Sequence, residues 1–466
     1  MNCYCLKKDI ELIIILHLFQ PILESYLNKV RSTRCQERKH KFHVLYLEFM
    51  NIYPPVEQRF SPFEFYSLMR KNNPIAFDEG NKQWGLYRYS DIEKILRDPI
   101  KFSSKFGPFQ VPQEYQENLN RPSLLNSDPP YHRKLRSIVD TLFVPLEISK
   151  LEPRIENIAN TLIDNIIEKG NNNNTMDLVK DFAYPLPATV IAELLGVPSE
   201  DQDTFRKWAD DIVSLEITNE SDIDSIRKAD KTVVDMDAYF SKLIEKKKKI
   251  PTNDLISHII RAQVDGHSLS EKEILSFCSL LLNAGHVTTV NLIGNLVFSL
   301  LENPQEFKRL QENQNSLIKP AIEETLRYRS PVQFLFRIAN ADVTLSGSGV
   351  GDKVEQKIQK GQGITLFLGS ANHDESIFTD PERFDITRKN LRHLGFGNGI
   401  HFCLGAPLAR LEAQIALRVI LERFENLQFN FDNSDRQNLY TKVSPLKSSF
   451  LLGLSHLPLY FQPKNR

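Results

Sequence analysis

Cysteine is scarce in this chain, with five in 466 residues at positions 3, 5, 35, 278 and 403. That number and that uneven spacing exclude a disulfide framework and a zinc module, both of which need paired spacings, so a reducing compartment is the default. An excess of either charge is also lacking. The 58 Lys and Arg against 59 Asp and Glu leave a net charge of -1, which argues against a general nucleic-acid-binding surface. With 19 Gly and 25 Pro and no internal repeat, collagen-like and low-complexity architectures are excluded; the four asparagines at 171–174 are the only tract of that kind. What remains, 41% hydrophobic and 25% charged residues, is the composition of a globular protein able to bury a large core.

The apolar stretch near the start of the chain is not expected to be a membrane anchor. The apolar stretch Leu12 to Phe19 is interrupted by His17 and bounded by Glu11 and by Gln20-Pro21, well short of the roughly 20 residues a bilayer span requires. No small-residue cleavage site follows it, as a signal peptide would need. The first 45 residues hold eight Lys/Arg and four Asp/Glu, a net of +4 that leaves -5 for the other 421. They read as an atypical, poorly ordered N-terminal extension ahead of a single domain over 46–466.

Beyond residue 50 the punctuation becomes regular. Ile75 to Asp78, the turn-forming Glu79-Gly80-Asn81-Lys82 and Gln83 to Arg88 predict a hairpin, followed by a short helix from Ser90 to Leu96. Helical periodicity follows over Leu151 to Lys169, Val179 to Leu195, Asp201 to Leu215 and Ile223 to Lys249. Strand signals return only at Asp342 to Leu345, Lys353 to Ile358 and Ile364 to Phe367. The fold class is mainly α with small β-sheets.

One helix stands apart. Ser270 with Glu273 forms a capping-box signature, and Ile274 to Leu301 then runs 28 residues without a formal charge. By length it would cross a bilayer, but Ser276, Ser279, Asn283, His286, Thr288, Thr289, Asn291, Asn295 and Ser299 are an expensive polar load in lipid. A helix apolar on all sides belongs inside a large domain, and no membrane span is expected. Ala284-Gly285 leaves one face bare at its middle, where something bulky can approach the backbone.

The segment with the most chemistry is Phe396-Gly397-Asn398-Gly399-Ile400-His401-Phe402-Cys403-Leu404-Gly405, followed by Ala406-Pro407-Leu408-Ala409-Arg410. Glycines at 397 and 399 let the loop take backbone conformations closed to other residues and pass close to a flat ligand. Cys403 sits where a helix begins, and Leu408, Leu411, Ile415 and Val419 give that helix a buried face. Unpaired N–H groups and the positive dipole end favour thiolate, which places Cys403 to bind a metal. A lone cysteine in such a place is more often a buried free thiol; here the surrounding residues decide otherwise.

This segment resembles the haem-binding loop of the cytochrome P450 superfamily, Phe-Gly-x-Gly-x-His-x-Cys-x-Gly. Three further segments agree in order and spacing. Glu324-Thr325-Leu326-Arg327 is similar to the family's Glu-x-x-Arg motif, although such a pair is by itself usually a solvated salt bridge, and Arg383 in Pro381-Glu382-Arg383-Phe384 matches the arginine that completes its ion network. Asp128 to Arg136 resembles the helix whose His-x-x-x-Arg contacts the haem propionates. A spacing of four puts His132 and Arg136 on one face. Arg337 and His401 match the other usual propionate partners. Ala284-Gly285-His286-Val287-Thr288-Thr289 resembles the family's oxygen-binding groove, in which the first threonine, here Thr288, hydrogen-bonds bound oxygen. Read alone, Thr288 and Thr289 are side chains that back-bond to helical carbonyls. Val287 stands where the family has an acid that relays protons. His373 stands where arginine is more usual.

The resemblance covers roughly residues 55 to 460 and points to the soluble, cytoplasmic bacterial class, with a long central helix over 270–301 across haem b (iron protoporphyrin IX). It implies a haem-thiolate monooxygenase: Cys403 as axial and metal ligand; His132, Arg136, Arg337, Phe396, His401 and Gly405 around the cofactor; Ala284, Gly285 and Thr288 on the oxygen side. One atom of O₂ would enter an apolar small molecule of fatty acid, terpenoid, steroid or polyketide type. Phe334, Leu335 and Phe336 correspond to positions beside the pocket, and the loop from Phe102 to Leu125 to its lid. No flavin or iron–sulfur domain is visible, so a ferredoxin or flavodoxin with an NAD(P)H-dependent reductase would supply electrons. The missing acid at 287 raises two alternatives, a peroxide-driven peroxygenase and a catalytically weakened haem-binding protein.

Overall fold

The computed structural model describes residues 52–464, apart from 106–111, 170–173, 218–222, 265, 349–352, 390, 432–438 and 440–441. The extension expected over residues 1–45 lies outside the described residues, as does the 106–111 stretch of the expected lid.

Fifteen α-helices appear among the described residues. They are α1 (Phe63–Asn72), α2 (Tyr89–Leu96), α3 (Gln116–Leu119), α4 (Tyr131–Val139), α5 (Pro145–Ser149), α6 (Glu152–Lys169), α7 (Pro185–Leu194) and α8 (Gln202–Ile217), then α9 (Ile223–Lys249), α10 (Leu255–Arg261), α11 (Glu271–Glu302), α12 (Pro304–Glu312), α13 (Gln314–Tyr328), α14 (Leu368–Ala371) and α15 (Ala406–Arg423). The predicted hairpin forms β1 (Ile75–Asp78) and β2 (Gln83–Leu86), with Ile75 opposite Leu86 and Asp78 opposite Gln83. β3 (Phe102–Ser103), β5 (Leu335–Ala339) and β8 (Gly363–Leu366) extend it into a five-stranded sheet in the order β1-β2-β8-β5-β3, parallel only between β2 and β8. β4 (Thr175–Asp177), β9 (Phe424–Phe429) and β12 (Pro458–Pro463) make a second sheet; β6 (Val343–Ser348) with β7 (Lys353–Ile358) and β10 (Ser444–Pro445) with β11 (Leu454–His456) make two ribbons.

The central helix is α11. Ser270 Oγ accepts from the Glu273 N–H while the Glu273 carboxylate accepts from the Ser270 N–H, the reciprocal cap the sequence predicted. Its residues are buried on nearly every side, with α7, α8, α9, α13 and α15 packed around it. Part of its polar load is spent within the protein: Asn295 Nδ2 donates to Arg329 O at 3.0 Å and to Leu452 O at 2.9 Å, and Ser276 Oγ to Pro122 O at 3.0 Å, whereas Asn283 Oδ1, Asn291 Nδ2, Asn295 Oδ1 and Ser299 Oγ are buried without a partner. These bonds offset the desolvation of side chains that would be costly in lipid.

Elsewhere the expected boundaries shift for physical reasons. The single helix predicted from Val179 to Leu195 is broken. Val179–Ala183 is a π-turn in which Tyr184 N donates to Val179 O at 2.8 Å, and α7 starts afresh at Pro185, because Pro185 has no N–H to continue an α-helical ladder. The strands at Leu335–Ala339, Phe424–Phe429 and Pro458–Pro463 were not predicted, because their alternation is set by partners far away in sequence.

Candidate functional site

The candidate site is built from the loop before α15 and the basic side chains of α4 and β5, which lie together, and from the middle of α11, which packs on Phe450, itself in ring contact with Phe334 ahead of β5. In the loop, Cys403 N donates to Phe396 O at 3.0 Å and Gly397 N to Leu394 O at 2.8 Å, folding the chain back on itself. Gly397 and Gly399 have φ of 71° and 72°, in the region that favours glycine. A Cβ on Gly399 would also lie 2.3 Å from Leu96 O, so glycine is required there by space as well as by conformation. Arg410 places its guanidinium 4.6 Å from the centre of the Phe396 ring, which packs the loop against its own helix.

The expectation that a helix N-terminus makes Cys403 a thiolate is only partly met. α15 begins at Ala406, three residues on, and burial pushes the Cys403 thiol up. Hydrogen bonds from the Gly405 and Ala406 backbone and the charges of Arg136 and Arg410 pull it down without winning. A bound cation reverses that balance, because the thiolate is the ligand and metal binding releases the proton.

Four basic side chains gather above this loop. His132 and His401 lie with ring centres 4.2 Å apart, and Arg136 Nη1 donates to Phe402 O at 2.9 Å while its Nε donates to Asp140 Oδ1 at 2.5 Å. Arg337, on β5, is 6% exposed. Its Nη1 donates to Phe336 O at 2.6 Å, and Nη2 is buried with no partner, as is His401 Nε2. Burial, then the charges of Arg337 and His132, push His401 down to about 3; burial pushes Arg337 down to about 10; burial, then Arg136, lowers His132. Two guanidiniums and two imidazoles whose charged forms are disfavoured are crowded here in low dielectric with nitrogens unsatisfied, which is costly unless an anion completes the site. A cofactor bearing two carboxylates satisfies that demand, so the residues present fit haem with its propionates near Arg337 and the two histidines.

On α11, Ala284 is exposed between the half-buried Asn283 and Gly285. A Cβ on Gly285 would meet Ile191 Cδ1 at 2.9 Å, so the helix and α7 touch there. Thr288 Oγ1 donates to Ala284 O at 2.7 Å and Thr289 Oγ1 to Gly285 O at 3.1 Å, the back-bonding read from the sequence. Val287 packs in a small apolar cluster with Leu451, Val332, Leu446 and Phe450. His286 turns away from Thr288, its Nε2 3.2 Å from Tyr184 O and its ring edge-on to Tyr184.

The buried ion network differs from expectation at one member. Glu324 and Arg327 are both fully buried and paired through two contacts of 2.8 Å. Arg327 also donates to Asn372 O and Pro381 O at 2.9 Å and to Arg383 O at 3.2 Å. Arg383 thus contributes its carbonyl only: its side chain is 60% exposed and lies 3.7 Å from Asp385. The side chain that completes the network is Arg388, whose Nε is 3.2 Å from Glu324 and whose guanidinium also donates to the carbonyls of Thr379, Asp380 and Arg383. His373, where arginine was the more usual residue, stacks on Phe63 at 4.4 Å with Nε2 2.9 Å from Tyr328 O.

A residue that sequence reasoning missed is Glu323. Burial raises its pKa, but hydrogen bonds from Arg410 at 2.6 Å and from His393 at 3.0 Å bring it down to about 2. Glu323 therefore ties α13 to both sides of the Cys403 loop. The signal available was its place beside Glu324; nothing local distinguishes it from a solvated helical acid.

Comparison with known proteins bears on this geometry. The family model described as Cytochrome P450 matches residues 76–447. A putative cytochrome P450, YjiB of Bacillus subtilis (strain 168), is 38% identical over 400 residues, covering 85% of this chain and 93% of that protein. The crystal structure of CYP109E1 from Bacillus megaterium in complex with corticosterone is similar with a TM-score of 0.74 at 36% identity, covering 87% of this chain and 99% of that one. P450BioI in complex with an acyl carrier protein ligated to hexadec-9Z-enoic acid gives a TM-score of 0.77 at 33% identity, covering 87% and 99%.

Proposed function

The chain belongs to the cytochrome P450 family and is a haem b-dependent monooxygenase, and from that premise we propose that it oxidises an apolar small molecule with electrons from a separate ferredoxin or flavodoxin and its NAD(P)H-dependent reductase, in the cytoplasm. Bound haem supplies the redox chemistry, the transfer of one oxygen atom from O₂ to substrate. Cys403 Sγ would hold its iron. His132, Arg337 and His401 would hold its carboxylates, while Arg136 braces the loop through Phe402 O. Phe396 and Gly405, in the same loop, would line the cofactor site. The observation that carries this assignment is the pair of buried, unpartnered nitrogens, Arg337 Nη2 and His401 Nε2, the second of them two residues before Cys403.

Ala284 and Gly285 keep α11 close to the reacting centre, and Thr288 orients oxygen or water there. The Thr288 hydroxyl proton is engaged by Ala284 O, which leaves its lone pairs to accept a hydrogen bond from water. Val287 has no proton to give, so protons reach Thr288 through water. The apolar wall formed by Phe334, Phe336 and Phe450, whose rings lie within 5.3 Å of one another in pairs around Phe334, excludes bulk water and selects apolar substrates. Two relatives carry the same theme: one holds corticosterone and another a carrier-bound hexadecenoic acid.

The test is the reduced, CO-bound difference spectrum, followed by NAD(P)H-dependent turnover with surrogate redox partners. A thiolate-type band together with product supports the assignment, and Cys403→Ser should abolish that band. A band that survives Cys403→Ser would falsify the ligand assignment. The apolar setting of Val287 favours a second reading, a peroxide-driven enzyme. Turnover with peroxide but none with NAD(P)H and redox partners would establish it.

A further inference from the structure

A short strap, residues 121–128, runs from the side of α9 and α11 to the cationic pocket. At its start, Arg121 Nη1 donates to Asp237 Oδ2 on α9 at 2.6 Å and Nη2 to Ser279 Oγ on α11 at 2.7 Å. The other oxygen of Asp237, Oδ1, is buried without a partner, so that carboxylate depends on Arg121. The strap is stiffened from within: Ser123 N donates to Asn126 Oδ1 at 2.7 Å, Asn126 Nδ2 to Arg121 O at 3.2 Å and Ser127 Oγ to Ser123 O at 2.6 Å. At its end, Asp128 accepts from Ser103 Oγ at 2.5 Å and from Ser104 N at 2.8 Å. Two points along it reach the pocket. Asp128 is bonded through Ser103 and Ser104 to β3, where Ser103 pairs with Ile338, the neighbour of Arg337 on β5, and the Leu124 backbone is hydrogen-bonded to His401.

We infer that Arg121 is a positioning residue for the haem site. By clamping the strap to α9 and α11 it holds Leu124 against His401 and Asp128 on β3, which is paired with the strand carrying Arg337, and so fixes the two unpartnered nitrogens, Arg337 Nη2 and His401 Nε2, toward the cofactor carboxylates. The inference rests on the haem reading of the same pocket. Arg121 touches none of the four basic side chains of that pocket; its effect passes through a segment with its own internal bonds. Groups that orient a ligand from outside typically change affinity by about 10- to 100-fold when removed.

The test measures transfer of haem from the holoenzyme to an excess of apomyoglobin. Arg121→Ala and Asp237→Asn should each accelerate haem loss about tenfold. Arg121→Lys retains one charge contact but not the fork that reaches both Asp237 and Ser279, and should fall between them and the parent. Asn118→Ala is the control. It removes a 2.9 Å bond between α3 and Asp230 on the same face of α9, without touching the strap, and should leave the rate unchanged. Haem loss at the parent rate in Arg121→Ala, or equal acceleration in Asn118→Ala, overturns the inference. A chain that takes up no haem fails the haem reading instead, so the two failures are distinguishable.

Discussion

The Cys403 side and the α11 side of the pocket are built on opposite principles. Around the Cys403 loop, ion pairs and charge-assisted hydrogen bonds hold nearly every turn: Glu323 grips Arg410 and His393, and Glu324 grips Arg327 and Arg388. Across the pocket, α11 offers an alanine, a glycine, two hydroxyls bonded to their own helix and a valine in an apolar cluster. The difference shows where rigidity is needed. A metal ligand must be held in place by a supporting shell, whereas the oxygen side must leave room and admit water.

The sharpest way to break the contrast is to remove Arg327. Its loss strands the fully buried Glu324, and a broken buried pair costs about 3–5 kcal/mol, enough to prevent recovery of folded holoenzyme. Arg388→Ala should cost less, and Arg383→Ala should stay within about 0.5 kcal/mol because its side chain is at the surface. Chemical denaturation of the three variants ranks them. An Arg383→Ala effect as large as that of Arg388→Ala would restore the expected network.

Two acids in this half titrate in opposite senses, which gives a pH test. Glu323 is held at about 2, below its ordinary value, so its stabilisation is present above about pH 4.5 and is lost as pH falls towards 2. Glu412, on α15, is fully buried with both oxygens unpartnered, and burial pushes it up to about 8. A raised carboxyl favours the fold below about pH 4.5 and loses that advantage as pH rises through about 8. Glu412→Gln should therefore raise stability at pH 9 relative to the parent by up to about 5 kcal/mol and change it little at pH 4, while Glu323→Gln should flatten the loss below pH 4.5. Urea unfolding across pH 3–9 reads both; a Glu412→Gln curve parallel to the parent would contradict the assignment.

On the α11 side, Val287→Glu introduces a carboxyl among Leu451, Val332, Leu446 and Phe450. It should destabilise the fold by about 1–3 kcal/mol, and the new acid should stay protonated near neutral pH. Thermal unfolding checks the first effect. Better coupling of NAD(P)H to product in spite of that cost would show that the missing acid limits proton supply, and unchanged coupling would show that water reaching Thr288 suffices.

Several site features were legible from local pattern. The glycines of the Cys403 loop announce themselves because Gly397 and Gly399 adopt positive φ, and the capping box of α11 because its partners are three residues apart. His132, Arg337 and His401 were identifiable only by resemblance, since no spacing links positions so far apart in the chain.

The amino-acid order by itself determined the helical class and the buried central helix, because each depends on neighbours within a few turns, and it marked Cys403 as the candidate metal ligand through its resemblance to a known loop. Only the tertiary structure decided that Arg388 rather than Arg383 reaches Glu324, that Glu323 grips both flanks of the Cys403 loop and that Val287 lies among apolar side chains. Those outcomes join residues 64 to 164 positions apart, from Glu324 with Arg388 to Val287 with Leu451, across contacts that exist only once the core has packed.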